Sequence, residues 1–266
     1  MAQLPQTKHS IIELENSWLT FWFNRPEKRN ALSDDLIKDI QNILTAIKDD
    51  RSIRGIIFRG KGGIFCAGAD LDGLKKISSS GDEAYTISLE MSKQFGEVFK
   101  MISKAPQVTI SIVEGAAMAG AFGIACASDL LVSMSDARYA LTETRIGLTP
   151  AQITPYVLNR MGYATARKML LLGNLINGKE GYDMGLVDYL VNDETEISDV
   201  ISGIKKQVHQ CAPNAIAITK EILSNNDQID SERAAEMFSS CIVSEEGREG
   251  IASFFEKRKP YWAREE

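Results

Sequence analysis

An uncharged run in the middle of the chain most constrains its fold. Residues 115–128 contain no charged side chain, and Glu114 and Asp129 flank them. The run has 14 residues, and a helix of that length, about 21 Å, is too short to cross the roughly 30 Å hydrocarbon core of a bilayer. Within it, residues 119–127 are small and apolar all round, which is typical of a helix buried in a protein core. The run therefore predicts a globular core around one short, buried helix.

The composition supports such a core and limits the partners. Of the 266 residues, 44% are hydrophobic and 25% are charged, which is ordinary for a globular protein. The net charge of −6 argues against a general nucleic-acid binder, which is usually basic. A local basic pocket for a ligand phosphate is compatible with this charge.

The N-terminus and the cysteines indicate a reducing, cytoplasmic location. The first ten residues, MAQLPQTKHS, lack the apolar core of a secretory signal. The four cysteines form no CxxC pair and do not cluster with a histidine, so buried free thiols are expected rather than structural zinc; they are Cys66, Cys126, Cys211 and Cys241. We expect no metal site and no membrane association.

Strand-like and helix-like segments alternate in the first part of the chain. Strands are predicted at residues 11–15, 18–23, 55–59, 108–113 and 130–133. Ser33 is a candidate N-cap for a helix with one apolar face, and a helix of about 20 residues is predicted to end at Lys104. Ser78 to Gly81 interrupt the preceding helical stretch.

Strand signals stop beyond about residue 194. Residues 196–210, 214–223 and 231–259 all have helical periodicity, and the last segment is expected to break near Gly247 or Gly250. The chain is therefore predicted to divide into a mixed α/β core, residues 1–193, and a helical region, residues 194–266.

Several common catalytic motifs are absent from the sequence. The only histidines are His9 and His209, and no GxSxG accompanies them, which disfavours a Ser-His-Asp hydrolase. Residues 60–63, GKGG, do not match a phosphate-binding P-loop, and residues 115–120 lack the GxGxxG order of a dinucleotide site.

Four motifs occur in a fixed order along nearly the whole chain. Residues 24–32 read NRPEKRNAL, residues 65–71 read FCAGADL, residues 113–122 read VEGAAMAGAF with Ser128-Asp129 following, and residues 249–260 read EGIASFFEKRKP. Together they resemble the crotonase (enoyl-CoA hydratase/isomerase) superfamily. The resemblance implies an α/β fold, a crotonase-like spiral core of ββα units with a helical C-terminal trimerisation region. It also implies a homotrimer or a dimer of trimers.

The glycine-containing motifs have a chemical explanation in this family. Enolate formation places negative charge on the thioester oxygen, and backbone N–H groups that point at this oxygen stabilise it. Backbone donors can reach a ligand only where the side chains are small. The resemblance implies that the donors are the N–H groups of Ala69 and Gly120, with Gly120 at a helix N-terminus that favours an anion.

The resemblance also implies an acid–base residue, Glu143. Hydratases of the family carry a second glutamate three residues after the oxyanion-hole glycine, and Gly123 stands at that position here. Hydration usually divides its proton transfers between two carboxylates, whereas isomerases of the family use one at the Glu143 position. Gly123 would either leave space for the substrate or pack closely against a neighbouring strand.

A second departure from the family pattern follows Pro150. This chain has AQITPY at residues 151–156, which resembles a branch that acts on branched glutaconyl-type thioesters. Arg145, Lys75 and Lys76 would pair with a substrate carboxylate in that case, and otherwise they are solvated surface cations.

The resemblance assigns the remaining contacts to coenzyme A, the part of the acyl-CoA substrate that takes the place of a separate cofactor. Near the nucleotide and the pantetheine we expect Lys28, Ala67, Gly68, Asp70 and Leu71, and Phe255 and Lys259 would reach the ligand of a neighbouring subunit.

Two alternatives to an enoyl-CoA hydratase or isomerase stay open. A decarboxylase of a carboxylated acyl-CoA forms its enolate by losing CO2 and needs no strong base at position 123. A catalytically silent acyl-CoA-binding protein would keep the fold without the reaction, although the presence of Glu143 argues against it.

Overall fold

A hairpin at the start of the chain leads into the main sheet. The structure is a computed structural model that describes residues 4–225 and 228–263. The strands in these residues are β1 (Ser10–Glu15), β2 (Trp18–Phe23), β3 (Gly55–Gly60), β4 (Val108–Val113), β5 (Ala116–Met118), β6 (Leu130–Met134), β7 (Arg138–Ala140), β8 (Leu175–Asn177) and β9 (Tyr189–Val191).

The main sheet is mostly parallel. Its order is β1-β2-β3-β4-β6-β9, with β1 antiparallel to β2 and every other neighbouring pair parallel. The loops that follow β3 and β4 therefore lie at the same edge of the sheet. A smaller sheet has the order β5-β7-β8, with β7 parallel to β5 and antiparallel to β8.

Ten α-helices lie in the described residues. They are α1 (Asp34–Ile47), α2 (Leu71–Ser78), α3 (Ala84–Ser103), α4 (Gly120–Ala127), α5 (Thr154–Leu172), α6 (Gly178–Asp183), α7 (Glu194–Gln210), α8 (Pro213–Ser224), α9 (Ser231–Val243) and α10 (Glu245–Phe255). The predicted mixed α/β class is confirmed.

Helices α1 and α4 form for local reasons that the sequence predicted. The Ser33 side chain accepts a hydrogen bond from Leu36 N–H and caps α1, whose apolar face is buried. All eight residues of α4 are buried, in agreement with their small, apolar side chains. Because α4 contacts α3, α5, β4 and β5, this short helix joins the two sheets to the helical layer.

The smaller sheet was not predicted. Each of its three strands has only three residues, too few to show the alternation that identifies a strand from sequence. This sheet helps to position two predicted site residues, because Gly120 lies two residues after β5 and Glu143 lies three residues after β7.

The predicted break in the C-terminal helical segment is present near Gly247, but it does not lie at a glycine. The break lies at Ser244, which has extended backbone angles and whose side chain accepts a hydrogen bond from Gly247 N–H to cap α10. Gly247 is inside α10, where a Cβ atom would lie 2.0 Å from the carbonyl oxygen of Cys241. Its glycine thus permits close contact between α10 and the end of α9 and does not interrupt a helix. None of the helices in residues 4–225 and 228–263 is long and apolar enough to cross a membrane.

Candidate active site

Ala69 lies in the loop between β3 and α2. Leu32 N–H donates to the Gly68 carbonyl at 2.8 Å, and Asp70 N–H donates to the Leu32 carbonyl at 3.2 Å. This is the pattern of a parallel bridge between Leu32 and Ala69, in which the polar backbone groups of Ala69 point away from Leu32. Within the described part of the chain, Ala69 N–H donates to no group, so it is available to a ligand.

Gly68 brings this loop against the segment before α4. Its φ is +93°, and a Cβ atom there would lie 2.7 Å from the Met118 carbonyl oxygen and 3.2 Å from Cβ of Ala119. Only glycine combines this backbone conformation with so close an approach. Ala69 follows Gly68 and Gly120 follows Ala119. The contact between Gly68 and Ala119 therefore makes Ala69 and Gly120 neighbours in the fold.

Gly120 is the first residue of α4, and its N–H has no acceptor among the described residues. Ala119 before it has φ +49° and ψ −118°, a conformation that costs a non-glycine residue on the order of 1–3 kcal/mol. Two hydrogen bonds hold it there, from Ala119 N–H to the Ala140 carbonyl at 2.9 Å and from Gly123 N–H to the Ala119 carbonyl at 3.1 Å. This turn leaves the Gly120 N–H, at the start of α4, without an acceptor among the described residues.

Glu143 begins a 3-10 turn, Glu143–Ile146, shortly after β7. The hydrogen bond from Ala119 N–H to the Ala140 carbonyl connects the end of β7 to the start of α4. It therefore brings the Glu143 turn close to Gly120. Oε2 of Glu143 is buried and accepts no hydrogen bond from a described residue. Burial raises the pKa of Glu143 above its ordinary value, and the hydrogen bond from its own backbone amide offsets part of this rise. A carboxylate in this state can exchange a proton with a substrate carbon.

Gly123 lies in the first turns of α4, and its surroundings are apolar. A Cβ atom there would lie 2.8 Å from Cζ of Phe99 and 3.1 Å from Cγ1 of Ile153. Of the two expectations for this glycine, the structure favours close packing. The expected partner was wrong, however, because Phe99 belongs to α3 and not to a strand.

Leu32, Phe95 and Phe99 form an apolar wall that sequence reasoning did not single out. A Cβ atom at Gly120 would lie 3.0 Å from Cδ1 of Leu32 and 3.1 Å from Cε1 of Phe95. Phe95 and Phe99 lie one helical turn apart on α3, with ring centroids 6.3 Å apart. The four-residue spacing of Phe95 and Phe99 could have indicated from sequence that they share a helix face. The same spacing occurs on any buried helix face, so it does not identify a substrate contact.

Most of the residues expected to contact coenzyme A lie together. Ala67 N–H donates to the Arg29 carbonyl at 3.0 Å, which places residues 67–71 beside the turn that ends at Lys28. Lys28 Nζ lies 3.1 Å from Asp72 Oδ2, and both side chains are exposed. Leu71 is 76% exposed. Asp70 has internal partners instead: its side chain caps α2 and forms an ion pair with Arg25 at 3.0 Å.

Other predicted residues are not brought to this place within the chain. Phe255 ends α10 and is 77% exposed, and Lys259 borders a cleft with Arg54 and His209. Among the cations considered for a substrate carboxylate, Arg145 follows Glu143 in the same 3-10 turn. Lys75 and Lys76 lie in the last turn of α2, and all three cations are exposed.

The expectation of four buried thiols is only half right. Cys66 and Cys126 are buried, whereas Cys211 is exposed and Cys241 is half-buried. In the described residues no three His, Cys, Asp or Glu side chains are grouped so that they could hold a metal ion.

Comparison with known proteins identifies the family. The family model for enoyl-CoA hydratase/isomerase matches residues 13–265. The chain belongs to the enoyl-CoA hydratase/isomerase family. Members of this family are lyases and isomerases, so the chain is an enzyme. The predicted relationship and the crotonase fold are thereby confirmed.

Solved structures and curated relatives agree with this assignment of the enoyl-CoA hydratase/isomerase family. AtuE of Pseudomonas aeruginosa is 35% identical with a TM-score of 0.91, over 97% of this chain and 100% of that one. An enoyl-CoA hydratase/isomerase of Marinobacter aquaeolei is 35% identical with a TM-score of 0.91, over 96% and 99%. The crotonyl-CoA hydratase of Syntrophomonas wolfei is 28% identical over 259 residues, which cover 94% of this chain and 95% of that protein.

Proposed function

We propose that this enzyme moves the double bond of an enoyl-CoA by proton transfer through a single carboxylate, that of Glu143. The supporting observation is the contrast between two positions. Glu143 has a buried, unpartnered carboxylate oxygen, whereas position 123 is a glycine packed against Phe99 and Ile153. One proton carrier is sufficient for isomerisation, because the proton that leaves one carbon returns to another.

In the proposed reaction, the Glu143 carboxylate removes a proton from C2 of a 3-enoyl-CoA. The electron pair of the broken C–H bond moves into a dienolate, and the thioester oxygen takes the negative charge. The carboxylic acid so formed then protonates C4, which yields the 2-enoyl-CoA and restores the carboxylate. Atoms and charge balance without water or a cofactor, and the raised pKa of Glu143 favours both proton transfers.

The N–H groups of Ala69 and Gly120 would stabilise the dienolate oxygen. Both lack an acceptor in the described residues, and the Gly68 contact places their segments side by side. Loss of one donor in comparable sites costs about 2.7–4 kcal/mol of transition-state stabilisation. The apolar wall of Leu32, Phe95 and Phe99 would exclude water and contact the acyl chain.

Hydration is the second candidate, and the names of relatives favour it, among them the crotonyl-CoA hydratase of Syntrophomonas wolfei. In this case Glu143 would have to activate water at C3 and also supply the proton for C2. The apolar surroundings of Gly123 provide no second carboxylate to share these two tasks.

Mass spectrometry of products made in 18O-labelled water separates the possible reactions. The substrates are 2-enoyl-, 3-enoyl- and carboxylated acyl-CoAs. The proposal predicts interconversion of 3-enoyl- and 2-enoyl-CoA without 18O incorporation. An 18O-labelled 3-hydroxyacyl-CoA as the main product would show hydration, and CO2 release without turnover of plain enoyl-CoAs would show a decarboxylase. Binding without turnover of any substrate would support the silent protein.

A homotrimer or a dimer of trimers is part of the proposal. The C-terminal helices expose large apolar side chains, including Phe238 at 67%, Phe254 at 78% and Phe255 at 77%, which is unusual for a surface that stays in water. Light scattering of the full chain tests this assembly, and a monomeric mass would contradict it. A cytoplasmic location is also proposed, and the four free cysteines support it.

A further inference from the structure

A cleft of about 960 Å³ lies at the opposite edge of the main sheet from the candidate active site. It is bordered by Ser17 before β2, by Arg51 and Arg54 before β3, by α7, and by the C-terminal turn that contains Trp262. These elements mark the amino ends of β2 and β3, whereas Ala69 and Gly120 follow the carboxyl ends of β3 and β4. The six-residue β3 separates the two edges by roughly 20 Å.

The charged side chains in the lining of the cleft are all cationic. They are Arg51, Arg54, Lys206, Arg258 and Lys259, and no Asp or Glu is among the described lining residues. This is unusual in a protein whose net charge is −6. Since low-dielectric walls concentrate the field of such a cluster, the cleft attracts anions.

The charges in the cleft are only partly neutralised. Arg258 is paired with Glu249 and Glu256, and the charge of Glu246 offsets part of that of Arg54. Arg51 uses Nε to donate to Asn214 Oδ1 at 3.0 Å, a neutral acceptor. Lys206 and Lys259 have no ion pair with a described residue.

Arg54 is a buried cation in the lining of the cleft, and its side chain is held in one position by hydrogen bonds. Its side chain is buried, and it donates to the carbonyls of Val208 and Cys211 at the end of α7 and to that of Trp262 at 3.4 Å. Its Nε is buried and has no partner among the described residues. The guanidinium therefore holds α7, β3 and the C-terminal turn in one geometry.

His209 adds a neutral donor to this lining. Trp18 Nε1–H donates to His209 Nε2 at 3.1 Å, so the ring proton resides on Nδ1. Burial, followed by the charges of Arg54 and Lys205, lowers the pKa of His209 and keeps the ring neutral near pH 7. Nδ1–H is therefore the donor that the ring offers to a ligand.

We infer that this cleft binds a small molecule that carries a chain of phosphate groups, at a site separate from the candidate active site. Lys206, Arg51 and the His209 N–H, which line the cleft, supply the charge-assisted and neutral donors that phosphate oxygens require. Tyr261 and Trp262, whose ring centroids are 5.0 Å apart, border the same cleft and offer a surface for a nucleotide base. The inference does not depend on the proposed reaction.

Histidine NMR of the full chain tests this site, because the protein has only two histidines. His9→Gln identifies the Cε1–Hε1 signal of His209. Inorganic tripolyphosphate, added at constant ionic strength, is expected to move the His209 signal saturably and leave that of His9 unchanged. His9 lies near the carboxyl end of β2, where its backbone carbonyl accepts from Asn24.

Matched variants localise the effect. Lys206→Gln and Arg51→Gln are each expected to raise the dissociation constant about tenfold, as expected for loss of one charge-assisted hydrogen bond. Lys168→Gln, on the exposed surface of α5, removes the same charge and should leave it unchanged. Lys28→Gln, in the proposed coenzyme A contact, should also leave it unchanged. Lys259 is not varied, because it belongs to the proposed contacts with coenzyme A of a neighbouring subunit.

Two further ligands distinguish the sources of the phosphate. ATP that binds more tightly than tripolyphosphate would indicate a nucleotide, and equal affinity would indicate recognition of the phosphates alone. Adenosine is expected to bind weakly in both cases. The inference is wrong if neither phosphate compound moves the His209 signal up to about 10 mM, a concentration that already corresponds to very weak binding. It is also wrong if Lys206→Gln and Lys168→Gln respond alike.

Discussion

The ring of Phe99 occupies the space into which a side chain at Gly123 would project, since a Cβ atom at position 123 would lie 2.8 Å from Phe99 Cζ. This contact joins α3 to α4 beside the proposed oxyanion donors. It excludes a glutamate from position 123 unless Phe99 moves, and it leaves Glu143 as the carboxylate on which the proposed reaction depends.

Gly123→Ala tests this contact. Alanine favours a helix over glycine by about 1 kcal/mol, but here its methyl group would overlap Phe99, and overpacking costs about 1–3 kcal/mol. We expect Gly123→Ala to lower the free energy of unfolding, measured by urea denaturation. Gly203→Ala in α7 is the matched control, because nothing lies within 4 Å of its Cβ position, and it should be stabilising. Equal stabilisation by both changes would contradict the packing explanation.

The contact between Gly123 and Phe99 also shows where sequence reasoning ends. The burial of α4 was predictable because its residues are small and apolar on every side, and α1 was predictable because Ser33 caps a regular apolar face. The partner of Gly123 was not, because Phe99 belongs to another helix and only the tertiary fold brings it there. The same limit applies to β5, β7 and β8, which pair through neighbours distant in sequence.

The candidate active site likewise combines residues that the sequence motifs predict with contacts that only the tertiary structure shows. Ala69, Gly120 and Glu143 could be placed by motif, and the structure brings their segments together through Leu32, Gly68 and Ala140. The motif could not indicate that Asp70 caps α2 and pairs with Arg25. Their catalytic roles, and the division of the chain at residue 193, remain predictions.

Ala119→Gly should relieve local strain. Ala119 has φ +49°, a conformation that glycine adopts without steric cost. Relief of about 1–3 kcal/mol exceeds the roughly 0.4–1 kcal/mol lost through greater freedom of the unfolded chain. We therefore expect a net gain of about 1 kcal/mol in the free energy of unfolding, with turnover retained. Thermal denaturation and a rate assay check this, and destabilisation by Ala119→Gly would show that the backbone is not strained there.

The pH dependence of turnover should report the environment of Glu143. A base must be ionised, so kcat/KM should fall as the pH decreases through the pKa of Glu143. Because burial raises this pKa, the midpoint should lie above the ordinary glutamate value of about 4.3. A pH–rate profile, with circular dichroism to verify folding at each pH, measures it. A midpoint at or below the ordinary value would mean that a different group limits the rate.

The burial that raises the pKa of Glu143 should also lower the free energy of unfolding when this carboxyl group is ionised. A carboxyl group whose pKa is higher in the folded than in the unfolded state destabilises the fold once it is ionised, so its cost is absent at low pH and appears as the pH rises through the folded pKa. Glu143→Gln should therefore raise the melting temperature at pH 7 and have little effect near pH 4. Calorimetry at both pH values tests this, with Glu221→Gln, an exposed residue of α8, as the control. A lower melting temperature for Glu143→Gln at pH 7 would imply a stabilising partner for the carboxylate.

The most direct test of the proposed reaction is the fate of deuterium in a 3-enoyl-CoA labelled at C2, followed by mass spectrometry of the 2-enoyl-CoA product. We expect the wild-type enzyme and Glu221→Gln to incorporate deuterium from C2 at C4, because the Glu143 carboxyl returns it to the same substrate molecule. Glu143→Gln should lose this incorporation by about 100-fold or more, the usual contribution of a general acid–base group, while it still binds the substrate. Undiminished incorporation by Glu143→Gln would contradict the assignment of Glu143 as the proton carrier.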